Sequence, residues 1–486
     1  MKRLLKITTK LGSANSVAFI ASLVKNKFIA VFLGTSGVGI FAQLNNFLNL
    51  LSNLSTLGMQ QGVTKFSASC KLDETEEKVD SESILSVALF LVGSIAMVLS
   101  AAVIFFNKKI SFLIFSDASY GFGIIIVAVS FPFIAFTAIF NYYFKGIGNI
   151  GALFKTTILS SIIGLAVSFS LIWLLSIKGL IMQIFTTAFI SFSVFYLFYS
   201  FFQRGRKKAR LFDISGIPGA KTIIRNLLRH GFVIYVSNAL LPLSLLIIRS
   251  MVIKNFGIEQ NGIFQSVLLI SAIFVSFPSE TLWASYFPDI SKDRDPGRQK
   301  VLLARFMDFL ILIGIPAVTF TILLQNFVIK FLFSSHFVSA ASYLPVRLMG
   351  DFVYMLAWPI GLIFFANSLF KEVLFFSILW NLLLIGLSAL LIKLLGFEGV
   401  FIAYLLTCLI ILILQWIILR KKTVIAAGNR ELLRVILAVI SVSMVCFVAR
   451  ERLSPYFYLL PLFIWFCMFF NKFKLNLEAV KLWQKK

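Results

Sequence analysis

Carboxylates are scarce in this chain: 20 Asp and Glu stand against 45 Lys and Arg, with only two His and four Cys among 486 residues. His230 and His336 are far apart, and Cys70, Cys408, Cys446 and Cys467 include no pair at zinc or redox spacing. A metal cluster and a disulfide framework are both disfavoured, and no metal or cofactor is expected. Charge as a whole is also low, at 13% of residues, where a water-soluble domain carries about one quarter. A soluble globular fold is therefore excluded as the working reading. No GxxxxGK[ST] sequence occurs, so ATP does not drive this chain directly unless a partner supplies it. Enzymatic chemistry is not expected either. The longest loop assigned to the outer side, 326–346, offers only Lys330 and His336 as titratable groups besides Tyr343.

What is present is apolar. Hydrophobic residues make up 59%, Phe alone numbers 55, and mean hydropathy is +0.95. A hydrocarbon core about 30 Å thick needs roughly 20 such residues per helix. Runs of that kind fall at 11–33, 38–60, 83–106, 120–143, 153–175 and 179–202 in the first half. The second half has 231–253, 262–284, 306–326, 347–369, 373–394 and 399–419, followed by a shorter pair at 434–449 and 455–470. The expected fold is an all-α polytopic membrane protein of about fourteen helices, or twelve without the last pair. The basic start, MKRLLKITTK, could open a signal peptide, but Lys25 and Lys27 interrupt the run that follows. An uncleaved first helix is the expectation.

The net charge of +25 has two readings, nucleic acid or membrane topology, and the location of the charges decides. With the N-terminus inside and alternating segments, about 33 Lys and Arg lie inside, about nine outside and about three within helices. The densest cluster is RGRKKAR at 204–210. This is the positive-inside pattern; it puts both termini in the cytoplasm and needs no nucleic acid.

The basic stretch 203–230 also divides the chain. The expected organisation is an N-terminal lobe over 1–202, a cytoplasmic linker over 203–230, a C-terminal lobe over 231–422, and a helix pair with a basic tail over 423–486. Internal repetition supports two six-helix lobes. Gly34-Thr-Ser-Gly-Val-Gly39-Ile40-Phe41 follows the first helix, and Gly257-Ile-Glu-Gln-Asn-Gly262-Ile263-Phe264 follows the seventh, 223 residues on. Parallel repeats related by an axis along the membrane normal are a transporter plan.

Ionisable residues inside spans are functional candidates by default. Lys25 and Lys27 are about 200° apart around helix 1, so they cannot share one cavity. The repeat offset places Arg249 opposite Asn26, between the two lysines. Interface anchoring is the bland alternative for these cations. Asp351 either binds or tunes charge, or pairs with Arg347 one turn earlier. Glu280 follows Pro278, which loosens the local backbone. Asp308 is expected to pair locally with Arg305. Lys65 and Lys145 sit at helix ends, where basic residues are common. Asn45, Asn46 and Asn49 read as helix-packing polar residues before sugar contacts.

Residues 33–66, LGTSGVGIFAQLNNFLNLLSNLSTLGMQQGVTKF, resemble the start of Wzx-type flippases for O-antigen and enterobacterial common antigen. Asn261-Gly-Ile-Phe-Gln265, Phe287-Pro-Asp-Ile-Ser291, and Leu332-Phe-Ser-Ser-His-Phe337 running on to Leu348-Met-Gly-Asp351 agree in order. The family sits in the multidrug/oligosaccharidyl-lipid/polysaccharide exporter superfamily. The resemblance implies two helical lobes, alternating access and a cationic cavity in a bacterial inner membrane. It implies an undecaprenyl-diphosphate-linked oligosaccharide moved from the cytoplasmic to the periplasmic leaflet, with a polysaccharide polymerase or chain-length machinery as candidate partner. Substrate contacts would come from Lys27, Arg249, Lys65 and Lys145, and coupling or charge tuning from Asp351 and Glu280. Residues 434–470 depart from the shorter flippases and resemble the extra pair of the lipid II flippase type, which implies a lipid groove. Two rivals stand beside this reading. A multidrug or small-cation exporter predicts a buried carboxylate in the N-terminal lobe. A polysaccharide polymerase or ligase predicts a large outer loop.

Overall fold

The computed structural model describes residues 2–69, 80–202, 217, 220–292, 295–422, 429–451, 461–463 and 465. Side chains are described for these except at 2–15, 229–238, 277, 280, 281, 284, 422 and 429–432. Backbone in hydrocarbon must satisfy its own hydrogen bonds, and every regular element among the described residues is helical. The first half holds α1 (Lys2–Thr56), α2 (Met59–Ser69), α3 (Ser81–Phe105), α4 (Asn107–Phe115), α5 (Gly121–Gly146) and α6 (Ile150–Phe202). Then come α7 (Ala220–Phe256), α8 (Ile258–Thr281), α9 (Phe287–Lys292), α10 (Pro296–Leu323) and α11 (Gln325–Leu332). The chain continues through α12 (Leu344–Ala366), α13 (Phe370–Leu395), α14 (Gly399–Lys422) and α15 (Asn429–Arg450).

Ten stretches are long and apolar enough to cross a bilayer. Three of them, Ser16–Thr56, Ile150–Phe202 and Phe370–Lys421, run to 41, 53 and 52 residues, at least twice the roughly 20 that one crossing needs. Each is broken once, at Gly34 (φ 63), Ser176 (φ 50) and Gly396 (φ 65). The breaks fall in the gaps between the expected spans. The chain is a multi-pass α-helical membrane protein.

Several elements differ from the sequence expectation. Residues 61–69 continue as α2, and α7 begins at Ala220, well before the apolar run at 231. Its polar first turns hold because Ile223, Asn226 and Leu227 are buried. The stretch read as an outer loop is instead α11 followed by a 3-10 segment, Ser335–Ser342. The first of the C-terminal pair is α15; of 455–470, only 461–463 and 465 lie within the described residues.

Contacts divide the chain into two compact units, Met1–Gly262 with Leu332–Ser334, and Ile263–Phe331 with Ser335–Lys486. In the first, α1 packs on α5, α6 and α7, and α2 packs on α3, α5 and α7. Gln43 of α1 donates to the Ser250 hydroxyl of α7 at 3.1 Å, and Asn46 donates to the Pro242 carbonyl at 3.0 Å. Asn46 thus serves helix packing; Asn45 is half-buried and Asn49 exposed. In the second unit α12 packs on α10, α14 and α15. Asp308 of α10 does not turn to Arg305 but takes Arg434 of α15 at 3.3 Å. Trp465 donates to the Leu312 carbonyl of α10 at 3.0 Å.

Candidate functional site

Arg249 lies in α7 and is 4% exposed. A guanidinium inside a membrane protein costs several kcal/mol unless its donors and charge are met. Its Nη1 donates to Asn261 Oδ1 at 3.1 Å, and Asn261 Nδ2 donates to the Gly39 carbonyl at 2.8 Å. The relay joins α7, the start of α8 and the second half of α1. Because Asn261 is a neutral amide, this bond orients the guanidinium without cancelling its charge. Lys27, half-buried on the first half of α1, follows buried Asn26.

Three charged side chains are buried among the described residues: Glu82, Arg249 and Asp351. Glu82 sits in the first turn of α3, where the positive end of the helix dipole favours a carboxylate. It therefore belongs to a helix end and not to the middle of a span.

Lys65 and Lys145 are both exposed, at the ends of α2 and α5. The structure brings those ends together: the Thr64 hydroxyl donates to the Tyr142 carbonyl at 2.9 Å. Lys145 Nζ lies 4.6 Å from the centre of the Tyr142 ring, and Lys65 Nζ lies 5.4 Å from that of Phe66.

Asp351, in the second unit, is fully buried in α12. Arg347 Nε approaches its Oδ1 to 3.2 Å, one turn earlier on the same helix, and the Tyr404 hydroxyl donates to it at 2.9 Å. Arg347 Nε also donates to the Ser271 hydroxyl at 2.9 Å, and its guanidinium stacks 3.4 Å over the Tyr404 ring. Stacking and pairing use the planar cation on two sides at once. The buried carboxylate of this unit is thereby neutralised from within. The sequence offered Arg347 as one partner; Tyr404 and Ser271, from α14 and α8, had no signal in the spacing.

Glu280 lies in α8, its side chain outside the described set. A π-helical turn, Leu282–Tyr286, follows immediately, four residues after Pro278, consistent with a loosened backbone. Such turns recur at functional positions.

A pocket of about 180 Å³, partly open to its surroundings, lies between α1 and the two halves of α6. Lys25 lines it with Ser22, Ser160, Ser161, Ser168 and Thr187. Sequence reasoning separated Lys25 from Lys27 by helix angle but could not supply the hydroxyls, which come from another helix. No group of three or more His, Cys, Asp or Glu among the described residues is placed to hold a metal ion.

Residues 4–292 match the family described as Polysaccharide biosynthesis protein. Stage V sporulation protein B of Bacillus subtilis is 23% identical over 159 residues, covering 33% of this chain and 30% of that protein. The matched part is thus under a third of that relative's length. Among solved structures, the lipid II flippase MurJ in an inward closed conformation aligns with a TM-score of 0.71 and 15% identity, over 96% of this chain and 99% of that one. An inward-facing multidrug resistance transporter of the MATE family aligns with a TM-score of 0.66 and 14% identity, over 84% and 94%. At these identities the likeness concerns the fold.

Proposed function

The chain belongs to the polysaccharide biosynthesis protein family, and from that membership we propose that it is a flippase for an undecaprenyl-diphosphate-linked oligosaccharide. Its direction is from the cytoplasmic to the periplasmic leaflet of a bacterial inner membrane, with both chain termini cytoplasmic. The prenyl tail stays in hydrocarbon while the diphosphate and sugars cannot, so the headgroup needs a polar route and fixed cations to replace its hydration. Rocking of the two repeats exposes that route to each leaflet in turn.

The observation that carries the reading is the sign of the buried charge. Arg249 is a buried cation whose Nη1 donates to Asn261, and the buried carboxylate Asp351 is paired with Arg347. Cations held in the spans at Arg249 and Lys27 suit an anion. Arg249 and Lys27 are the proposed diphosphate contacts, and the adjoining helix ends of Lys65 and Lys145 the proposed cytoplasmic entrance. Asp351 acts by tuning charge through Arg347, and Glu280, beside the π-helical turn, is the coupling candidate. A polymerase or chain-length partner receives the product. A small-cation exporter needs a carboxylate in mid-span of the first unit, and Glu82 at the start of α3 does not fill that role.

The test is translocation of a fluorescent undecaprenyl-diphosphate oligosaccharide in proteoliposomes, read by lectin access to the headgroup. Wild type moves the lipid, and Arg249→Ala and Lys27→Ala each lose at least about tenfold while inserting normally, the loss of one charge-assisted contact. If wild type moves no lipid under any imposed gradient while dye efflux appears, the exporter reading replaces this one.

A further inference from the structure

We propose that the pocket between α1 and α6 binds an acidic sugar of the cargo and selects for it; this rests on the flippase reading above. The pocket is built by Ala18, Ala21, Ser22 and Lys25, one face of α1, against both halves of α6.

Small residues facing one another across helices ordinarily mean close packing. Here they surround space instead, and an ammonium lies in it. Lys25 Nζ sits 4.9 Å from the centre of the Phe41 ring. It makes no hydrogen bond or ion pair among the described residues, and no carboxylate lines the pocket. One turn before Thr187, behind the lining residues, Gln183 is 1% exposed, and neither its amide nitrogen nor its oxygen has a hydrogen-bond partner among the described residues. An ammonium in the pocket with no anionic partner among the described residues, on a wall rich in hydroxyls, points to a ligand.

The hydroxyls say which chemistry fits. Ser160, Ser161, Ser168, Thr187 and Ser191 each donate to a carbonyl four residues earlier on α6. Their hydrogens are committed, so what they offer is lone pairs. A phosphate ester accepts and does not donate, and a diphosphate carries more charge than one ammonium balances. A sugar hydroxyl can donate to those oxygens. One carboxylate per sugar matches the one lysine. The pocket thus fits a uronic-acid type residue and leaves the diphosphate to Arg249 and Lys27.

The experiment compares two synthetic undecaprenyl-diphosphate oligosaccharides, identical except for glucuronic acid or glucose, in proteoliposomes. Wild type is expected to favour the uronate at least tenfold, Lys25→Gln to bring the ratio within twofold of one, and Lys25→Arg to keep it. A ratio unmoved by Lys25→Gln overturns the proposal, since a structural lysine would lower both rates together. A second arm titrates full-length protein in nanodiscs with methyl glucuronide, methyl glucoside and inorganic phosphate. Binding of the glucuronide alone, lost in Lys25→Gln, supports the pocket even where no lipid moves and the flippase reading fails. Equal binding of phosphate, or none of the glucuronide, sinks it.

Discussion

Gly39 and Gly262 each lie against the turn that precedes the other: a Cβ on Gly39 would overlap the Ile258 carbonyl oxygen, and a Cβ on Gly262 the Thr35 carbonyl oxygen. The 223-residue offset that relates the glycines also relates Thr35 to Ile258, so the repeat in sequence is a reciprocal contact in space. Asn261, beside Gly262, reaches the Gly39 carbonyl and holds Arg249. The repeat therefore fixes the cation.

Gly39→Ala and Gly262→Ala are each expected to destabilise by about 1–3 kcal/mol, the usual effect of overpacking. The comparison is Gly34→Ala, where φ is 63 but nothing lies within 4 Å of the new methyl; conformational strain alone predicts a loss of about 1–2 kcal/mol. Thermal unfolding in detergent ranks the three. Equal losses would mean that the close approach carries no weight.

Arg347→Ala leaves the Asp351 carboxylate buried beside Tyr404 without its cation, which predicts a loss of about 3–5 kcal/mol. The double variant Arg347→Met with Asp351→Leu removes both charges and should recover most of that loss. Unfolding temperatures of the single and double variants measure it. A double variant worse than Arg347→Ala would show that Asp351 has a further partner.

Asp117, outside the spans, accepts from the Ser119 backbone N–H at 2.8 Å and from its hydroxyl at 2.7 Å. These bonds stabilise the carboxylate and hold its pKa below the ordinary Asp value of 3.8. A depressed folded-state pKa means the contribution is complete above the unfolded value and is lost as pH falls through the folded one. Titration of the carboxyl by NMR should give a midpoint below 3.8, and Ser119→Ala should raise it.

Ser176→Gly should stabilise the protein by about 1 kcal/mol, because a side chain at positive φ is disfavoured there. Chemical unfolding with the same probe reads the change, and a loss would mean the serine side chain makes a contact that glycine cannot replace.

Much of this architecture is legible in the chain. Apolar run lengths fix the crossings, and glycines at 34 and 257 mark two turns because few other residues accept positive φ. Arg347 as a partner for Asp351 follows from helical spacing. What was not legible depends on which helix faces which. Ser176 carries no turn signature, although its break and that at Gly396 lie 220 residues apart. The early start of α7 rests on burial of Ile223 and Leu227, which polar neighbours hide. Asp308 had a basic neighbour at Arg305, but α15 brings Arg434 closer. The Lys25 pocket needed the hydroxyl faces of α6, remote in sequence from α1.

The corners at Ser176 and Gly396 do the same work with different residues. Gly179 and Gly399, three residues after each, pack on the carbonyls of Leu171 and Leu391, so both reversals are equally tight. Glycine accepts its conformation in isolation, whereas serine accepts it only once neighbouring helices hold it. During synthesis the chain reaches Ser176 before α7 has been made, with α1 to α5 as its only support. Insertion of the sixth crossing thus leans on what has already assembled.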